Sequence, residues 1–199
     1  MSISFKEFAM KKSLSILLLF LIPTATMATE LKHPKPFGRF SLIDTHEHPF
    51  TEASLLGKWT LVFFGYTTCF SICPKTLTTI SETWKLLPAT LTENSLRFVF
   101  ISLDPEADTP KQLQTFLMRF DPHFVGLTGD KAVIQGLSKS SGIYSYEDPD
   151  ASQTAGIKII DHSATLLLIN PKGQVQAVFS PPHDKNMLAK ELTELSTAH

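Results

Sequence analysis

The sequence predicts an α/β sandwich whose central mixed β-sheet is flanked by helices, and three observations point there. Near-continuous apolar runs at 59–64 and 97–103 suit central strands buried on both faces. Each run is followed by a segment of helical spacing, which makes a strand-to-helix crossover. Two further apolar runs flank Asn170-Pro171-Lys172-Gly173, a turn with a hairpin signature, so an antiparallel pair closes the sheet.

Element by element, the chain reads as follows. Lys11 and Lys12 precede the apolar stretch 14–22, and small residues follow to Ala28. That pattern marks residues 1–28 as an export signal or an N-terminal membrane anchor, its apolar core falling short of the roughly 20 residues of a spanning helix. Residues 29–37, with His33, Pro34 and Pro36, read as an extended linker ahead of a domain over 38–199. Alternation over 39–43 predicts a strand, and Asp44-Thr45-His46-Glu47-His48 turns the chain. After the strand at 59–64, Pro74 opens a helix over 74–87, where Leu77, Ile80, Trp84 and Leu87 recur at spacings of three and four. The strand at 97–103 leads through an acidic loop to Thr109 and Pro110, a cap and first turn for a helix over 110–120. A short strand at 124–127, a helix capped by Asp130 and running to 139, and a polar irregular stretch at 142–156 come next. Strands at 165–169 and 174–179 form the hairpin, and Asp184 caps a last helix ending near 195.

Composition bounds the function. At 199 residues and 43% hydrophobic content the chain can bury one ordinary core, which argues for a single globular domain. Net charge is −1, and the positive excess of the first 28 residues leaves about −3 on the remainder. No basic footprint for nucleic acid exists in that balance.

Sulfur is scarce, and this concentrates the chemistry. The only cysteines are Cys69 and Cys73, between an apolar strand and a helix start. Export would place them in an oxidising compartment, where pairing is common. A five-residue disulfide loop removes little chain entropy, so it is a poor staple for a domain with its own core. Because Pro74 disfavours helical backbone at the preceding residue, Cys73 is expected at the helix cap, with Cys69 in the loop leading in. Both sulfurs then approach the positive end of the helix dipole, which favours thiolate, the reactive and metal-binding form.

Two thiolates make an incomplete metal site, and the histidines supply candidates for a third ligand. They are His33, His46, His48, His123, His162, His183 and His199. His162 is best placed, in a polar break just before the apolar strand at 165–169, although a histidine there also serves as an ordinary turn residue. His46 and His48 alternate on one side of an extended segment, and a polar hairpin tip explains them equally well. Asp104 and Asp108 are candidates to orient the site or meet a partner; Asp108 reads rather as a plain helix-flanking acid, and Asp104 suits the functional and the plain reading equally.

Together these motifs resemble a known family. Gly65-Tyr66-Thr67-Thr68-Cys69, then Cys73-Pro74, Ser102-Leu103-Asp104-Pro105-Glu106 with Asp108-Thr109-Pro110, and Asp161-His162-Ser163, in that order over roughly 38–195, resemble the Sco/SenC proteins. The resemblance implies a thioredoxin-like fold, a periplasmic or membrane-side location, and copper handling in the assembly of cytochrome c oxidase, with the copper-bearing subunit of that enzyme as partner. It maps the copper ligands, for Cu(I) or Cu(II), onto Cys69, Cys73 and His162. Two sulfurs and one imidazole suit copper, whereas structural zinc prefers four closed ligands. The chain departs from the family's common Pro and Asp inside the cysteine loop, having Phe70 and Ser71 there. The alternative is a thiol-disulfide oxidoreductase in which Cys69 and Cys73 form a redox pair acting on other exported thiol proteins.

Overall fold

A computed structural model describes residues 28–198. In chain order the strands and helices are β1 (Thr29–Pro36), β2 (Ser41–Asp44), β3 (Pro49–Thr51), β4 (Trp59–Gly65), α1 (Ile72–Trp84), α2 (Ala89–Asn94), β5 (Leu96–Ser102), α3 (Pro110–Leu117), β6 (Val125–Thr128), α4 (Lys131–Ser140), β7 (Ser145–Glu147), α5 (Pro149–Ala155), β8 (Ile160–His162), β9 (Leu166–Ile169), β10 (Gln174–Phe179) and α6 (Lys185–Ala198). Eight strands form one sheet in the order β1-β10-β9-β4-β5-β6-β2-β3. Strands β4, β5 and β6 run parallel, and their neighbours on both sides are antiparallel. The expected mixed sheet is thus observed, with the two most apolar runs at its centre.

Burial explains that placement. Every residue of β4 is buried, as befits a strand covered on both faces. On β5, Phe98 meets Trp84 of α1 and Phe100 meets Phe116 of α3, so these two helices share one face. Leu77 and Ile80 of α1 are fully buried, which seats that helix firmly and fixes the loop that enters it. At α3 the expected cap is present: Thr109 and Gln112 exchange side-chain and backbone bonds as a capping box.

Three expectations change. The segment expected as a linker, 29–37, is extended but pairs with β10 as an edge strand, because a register shift between Glu30 and Lys35 accommodates its prolines at the sheet margin. The polar stretch 142–156 is not irregular: it contains β7 and α5, the latter capped by Asp148, opened by Pro149 and closed by Gly156 in the left-handed region. Helix α5 buries no residue, so it carries no apolar stripe for periodicity to detect. His162, expected in a loop, ends β8, which pairs with β7 in a separate two-stranded sheet. Among the described residues no helix is long and apolar enough to cross a membrane. The signal or anchor assigned to 1–28 lies outside the described residues except for Ala28.

Candidate metal centre

Three ligand atoms converge at the C-terminal end of β4. The sulfurs of Cys69 and Cys73 and an imidazole nitrogen of His162 all lie within 4.8 Å of one another, the only such group of three among the described residues. Each arrives by a different route. Cys69 sits in the loop leaving β4, where its amide bonds to the Tyr66 carbonyl. Cys73 is the second residue of α1 rather than its cap. Pro74 is tolerated inside that first turn because the amide it lacks would have no intrahelical partner. His162 comes from 89 residues beyond Cys73 in the chain, at the end of β8.

No side chain caps α1 at Ser71. Instead the Cys73 amide, one of the helix's unpaired donors, points at the Cys69 sulfur at 3.4 Å. The thiols consequently diverge. The Cys69 thiol is held well below the ordinary cysteine range, chiefly by the hydrogen bond from the Cys73 side chain, with His162 and the amides of Cys73 and Ser71 adding to it against the cost of burial. Cys73 is pushed up, first by its burial and then by the Cys69 thiolate beside it. The expectation that the helix start lowers both thiols is therefore corrected: one thiolate is favoured, and its neighbour keeps the proton.

The imidazole is fixed from several sides. Its Nε2 lies 3.3 Å from the Cys73 sulfur, and its Nδ1 lies 3.3 Å from the Ser163 carbonyl, which can only accept. An Nδ1–H donated there would turn the Nε2 lone pair toward a metal held by the sulfurs, in place of the hydrogen bond His162 otherwise lends the Cys69 thiolate, and this is the arrangement a ligating histidine requires. The rings of Phe63 and Tyr66 lie against it at 5.9 and 5.7 Å. Tyr66 also accepts a hydrogen bond from the Ile160 amide through its hydroxyl.

Two supporting residues were underrated in the sequence. Asp108, read there as a plain flanking acid, is fully buried and accepts bonds from the Thr67 amide, the Thr67 hydroxyl and the Ser102 hydroxyl. It ties the Cys69 loop to the end of β5. Gly65 owes its place to a close approach: a Cβ there would stand 2.8 Å from both the Cys73 sulfur and the Phe100 ring. Its position directly before the cysteine motif was the available signal. Asp104 is almost fully buried and bonded to Lys158.

The other histidines lie elsewhere. Asp44 accepts from the amides of His46 and His48, so this pair forms the hairpin tip and does not converge with a third ligand. His123 bonds to Asp121, His183 to the Ala164 carbonyl, and His33 lies in β1. His199 is outside the described residues.

Comparison with known proteins gives a consistent match. The family model SCO1/SenC matches residues 28–197. The structure of Bradyrhizobium japonicum ScoI with copper bound is 35% identical, with a TM-score of 0.70 over 79% of this chain and 97% of that one. The crystal structure of Arabidopsis thaliana ScoI with copper bound is 30% identical, with a TM-score of 0.72 over 81% of this chain and 98% of that one. Among curated sequences, the mitochondrial SCO1 homologue of Mus musculus is 32% identical over 81% of this chain. The chain spans 56% of that mouse protein's length.

Proposed function

The chain belongs to the SCO1/SenC family, and from that premise we propose that it is a copper metallochaperone, holding copper as cargo on Cys69, Cys73 and His162. The convergence of those three ligand atoms within 4.8 Å carries the reading. Two sulfurs and an imidazole are a soft, low-coordinate donor set that accepts Cu(I) or Cu(II), and among the described residues no fourth His, Cys, Asp or Glu joins them to close a structural zinc site. Binding through both sulfurs displaces the proton that Cys73 retains, so loading strengthens as pH rises. An incomplete coordination shell leaves room for an acceptor's ligands to enter before the chaperone's own depart.

The acceptor in this reading is the copper-bearing subunit of cytochrome c oxidase during assembly, and the protein works after export, in the periplasm or at the periplasmic face of the inner membrane. The charged, apolar and small residues of 1–28 support export as a cleaved signal or a retained anchor. Both copper-bound relatives support the cargo.

A second reading has its own observation: both cysteines are free, with a Cys73 amide against the Cys69 sulfur. As a thiol-disulfide oxidoreductase, the Cys69 thiolate attacks a target disulfide and forms a mixed disulfide. Cys73 then attacks the Cys69 sulfur, releasing the target as a dithiol and leaving a Cys69–Cys73 disulfide for an external thiol reductant.

Copper titration of the reduced protein separates the readings. Wild type is expected to bind one copper, with affinity and spectra altered in Cys69→Ser, Cys73→Ser and His162→Ala. Unchanged affinity in His162→Ala sinks the three-ligand reading. Turnover of a disulfide substrate with negligible copper binding transfers the case to the oxidoreductase.

A further inference from the structure

The third donor is carried by a piece of chain with few ties to the rest. Strands β7 and β8 form their own two-stranded sheet, separate from the eight-stranded one, and α5 between them buries nothing. The start of this arm is held by Ser138, which bonds to the Ile143 carbonyl. Beyond it, the arm bonds to itself: Asp148 with Ile159, Ser152 with Ile159, and Ser163 with Tyr144. Ile143 and Ile160 bury their side chains in the core at its two ends, and its polar ties to the body are Ser145 with Ser138, the Tyr66 hydroxyl under Ile160, the His162–Cys73 contact, a long Lys131–Glu147 pair at 4.0 Å, and Lys158.

Lys158 makes the strongest of these. Its ammonium lies 2.6 Å from Asp104 and 2.8 Å from Glu106. Partial burial opposes its charge, yet the two carboxylates outweigh that and hold the ammonium above its ordinary value. Asp104 is only 2% exposed and belongs to the body: its amide bonds to Ser102, and its carbonyl accepts from Ala107 and Asp108. The turn that grips Lys158 is therefore the turn that, through Asp108, also grips the Cys69 loop. Lys158 stands four residues before His162, across the loop that enters β8.

We propose that the Lys158–Asp104 ion pair is a latch that positions His162, pinning the arm 143–162 to the turn after β5 so that the imidazole completes the site begun by the two cysteines. The role rests on the reading of His162 as a copper ligand. With the latch open, Cys69 and Cys73 keep their places on the body while the imidazole leaves them. Lys158 is a positioning residue: it touches no ligand atom.

Hydrogen exchange of the copper-free, reduced full chain and copper titration together test the latch. Lys158→Met is expected to lower amide protection over 143–162 about tenfold or more and to weaken copper binding by ~10–100-fold, the range for loss of a partner behind a ligand. Its copper spectrum should move toward that of His162→Ala. Lys158→Met with His162→Ala should bind no more weakly than His162→Ala alone, because both act through one imidazole. Lys158→Arg should recover most of the affinity, since guanidinium also pairs with carboxylate. The double variant Asp104→Asn with Lys158→Met removes both charges and should match Lys158→Met, which sets aside an orphaned buried charge as the cause. Wild-type spectrum and affinity in Lys158→Met, beside an altered His162→Ala, overturn the latch. A double variant weaker than His162→Ala overturns it too. Should His162→Ala itself bind copper as wild type does, the three-ligand reading fails, and an arm that stays protected in Lys158→Met then overturns the latch.

Discussion

The two halves of the candidate metal centre are built in opposite ways. Cys69 and Cys73 stand on the body, between the fully buried strand β4 and a helix whose Leu77 and Ile80 are completely enclosed. His162 stands on an arm whose helix α5 has no buried residue and whose strands join only each other. Packing density fixes the first half, because displacing a core side chain forfeits many contacts at once. Two buried isoleucines, Ile143 and Ile160, with a few hydrogen bonds and ion pairs fix the second. On the proposed reading of these three residues as copper ligands, a carrier gains from that division, because the cargo would stay on the anchored sulfurs while the donor on the more lightly held arm departs.

Truncation should expose the difference first, and by the largest margin. Leu77→Ala removes a fully enclosed side chain of α1 and is expected to cost about 2–5 kcal/mol of unfolding free energy. Tyr146→Ala removes a larger side chain from the arm, yet Tyr146 is 52% exposed, and the change should stay within about 0.5 kcal/mol. Urea unfolding of both variants measures the ratio; equal losses would mean that the arm is packed as tightly as the body.

Next in size is a test of how rigidly the body holds its sulfurs. Gly65→Ala places a methyl where 2.8 Å separates it from the Cys73 sulfur and from Phe100. The overpacking should cost roughly 1–3 kcal/mol, and relief requires the sulfur or the ring to move. Copper affinity is expected to fall with stability, while hydrogen exchange over 143–162 stays as in wild type. On the arm side, Tyr66→Phe deletes the acceptor for the Ile160 amide and should cost about 1 kcal/mol. Its effect should appear as faster exchange in β8 rather than in β4.

The same division explains what the sequence made legible. Body elements announced themselves, because burial on both faces produces unbroken apolar runs such as 59–64, and because the helix of Leu77 and Ile80 shows an apolar stripe at helical spacing. The cysteine pair could be placed at a helix start for the same reason. The arm was read as a polar irregular stretch, since a helix that buries nothing leaves no periodic trace, and its one local signal, the punctuation Asp148-Pro149 and Gly156, went unused. His162 was singled out as a break before β9 and by resemblance, but no local pattern says that Lys158 reaches Asp104 or that Gly65 lies against Cys73. Those are contacts between distant segments, and β1 shows the converse error: prolines that mark a linker in isolation are also compatible with an edge strand once a partner strand is present.

Asp108 offers the finest test of the body half, because its carboxyl is buried where the Cys69 loop meets the end of β5. Burial raises it above the ordinary aspartate value, and bonds from Ser102 and Thr67 only partly offset that. A carboxyl whose folded value lies above its unfolded value binds its proton more tightly when folded. Its contribution to stability is therefore fully present below the unfolded value near 3.8 and is lost as pH rises through the folded value. Asp108→Asn abolishes that titration, so the free-energy difference between variant and wild type should shift in the variant's favour as pH rises across this window. Urea unfolding of the reduced proteins from pH 4 to pH 7 measures the trend. A difference that stays flat, or that moves toward wild type, would mean the Ser102 and Thr67 bonds dominate the carboxylate and that the Cys69 loop is held by charge rather than in spite of it.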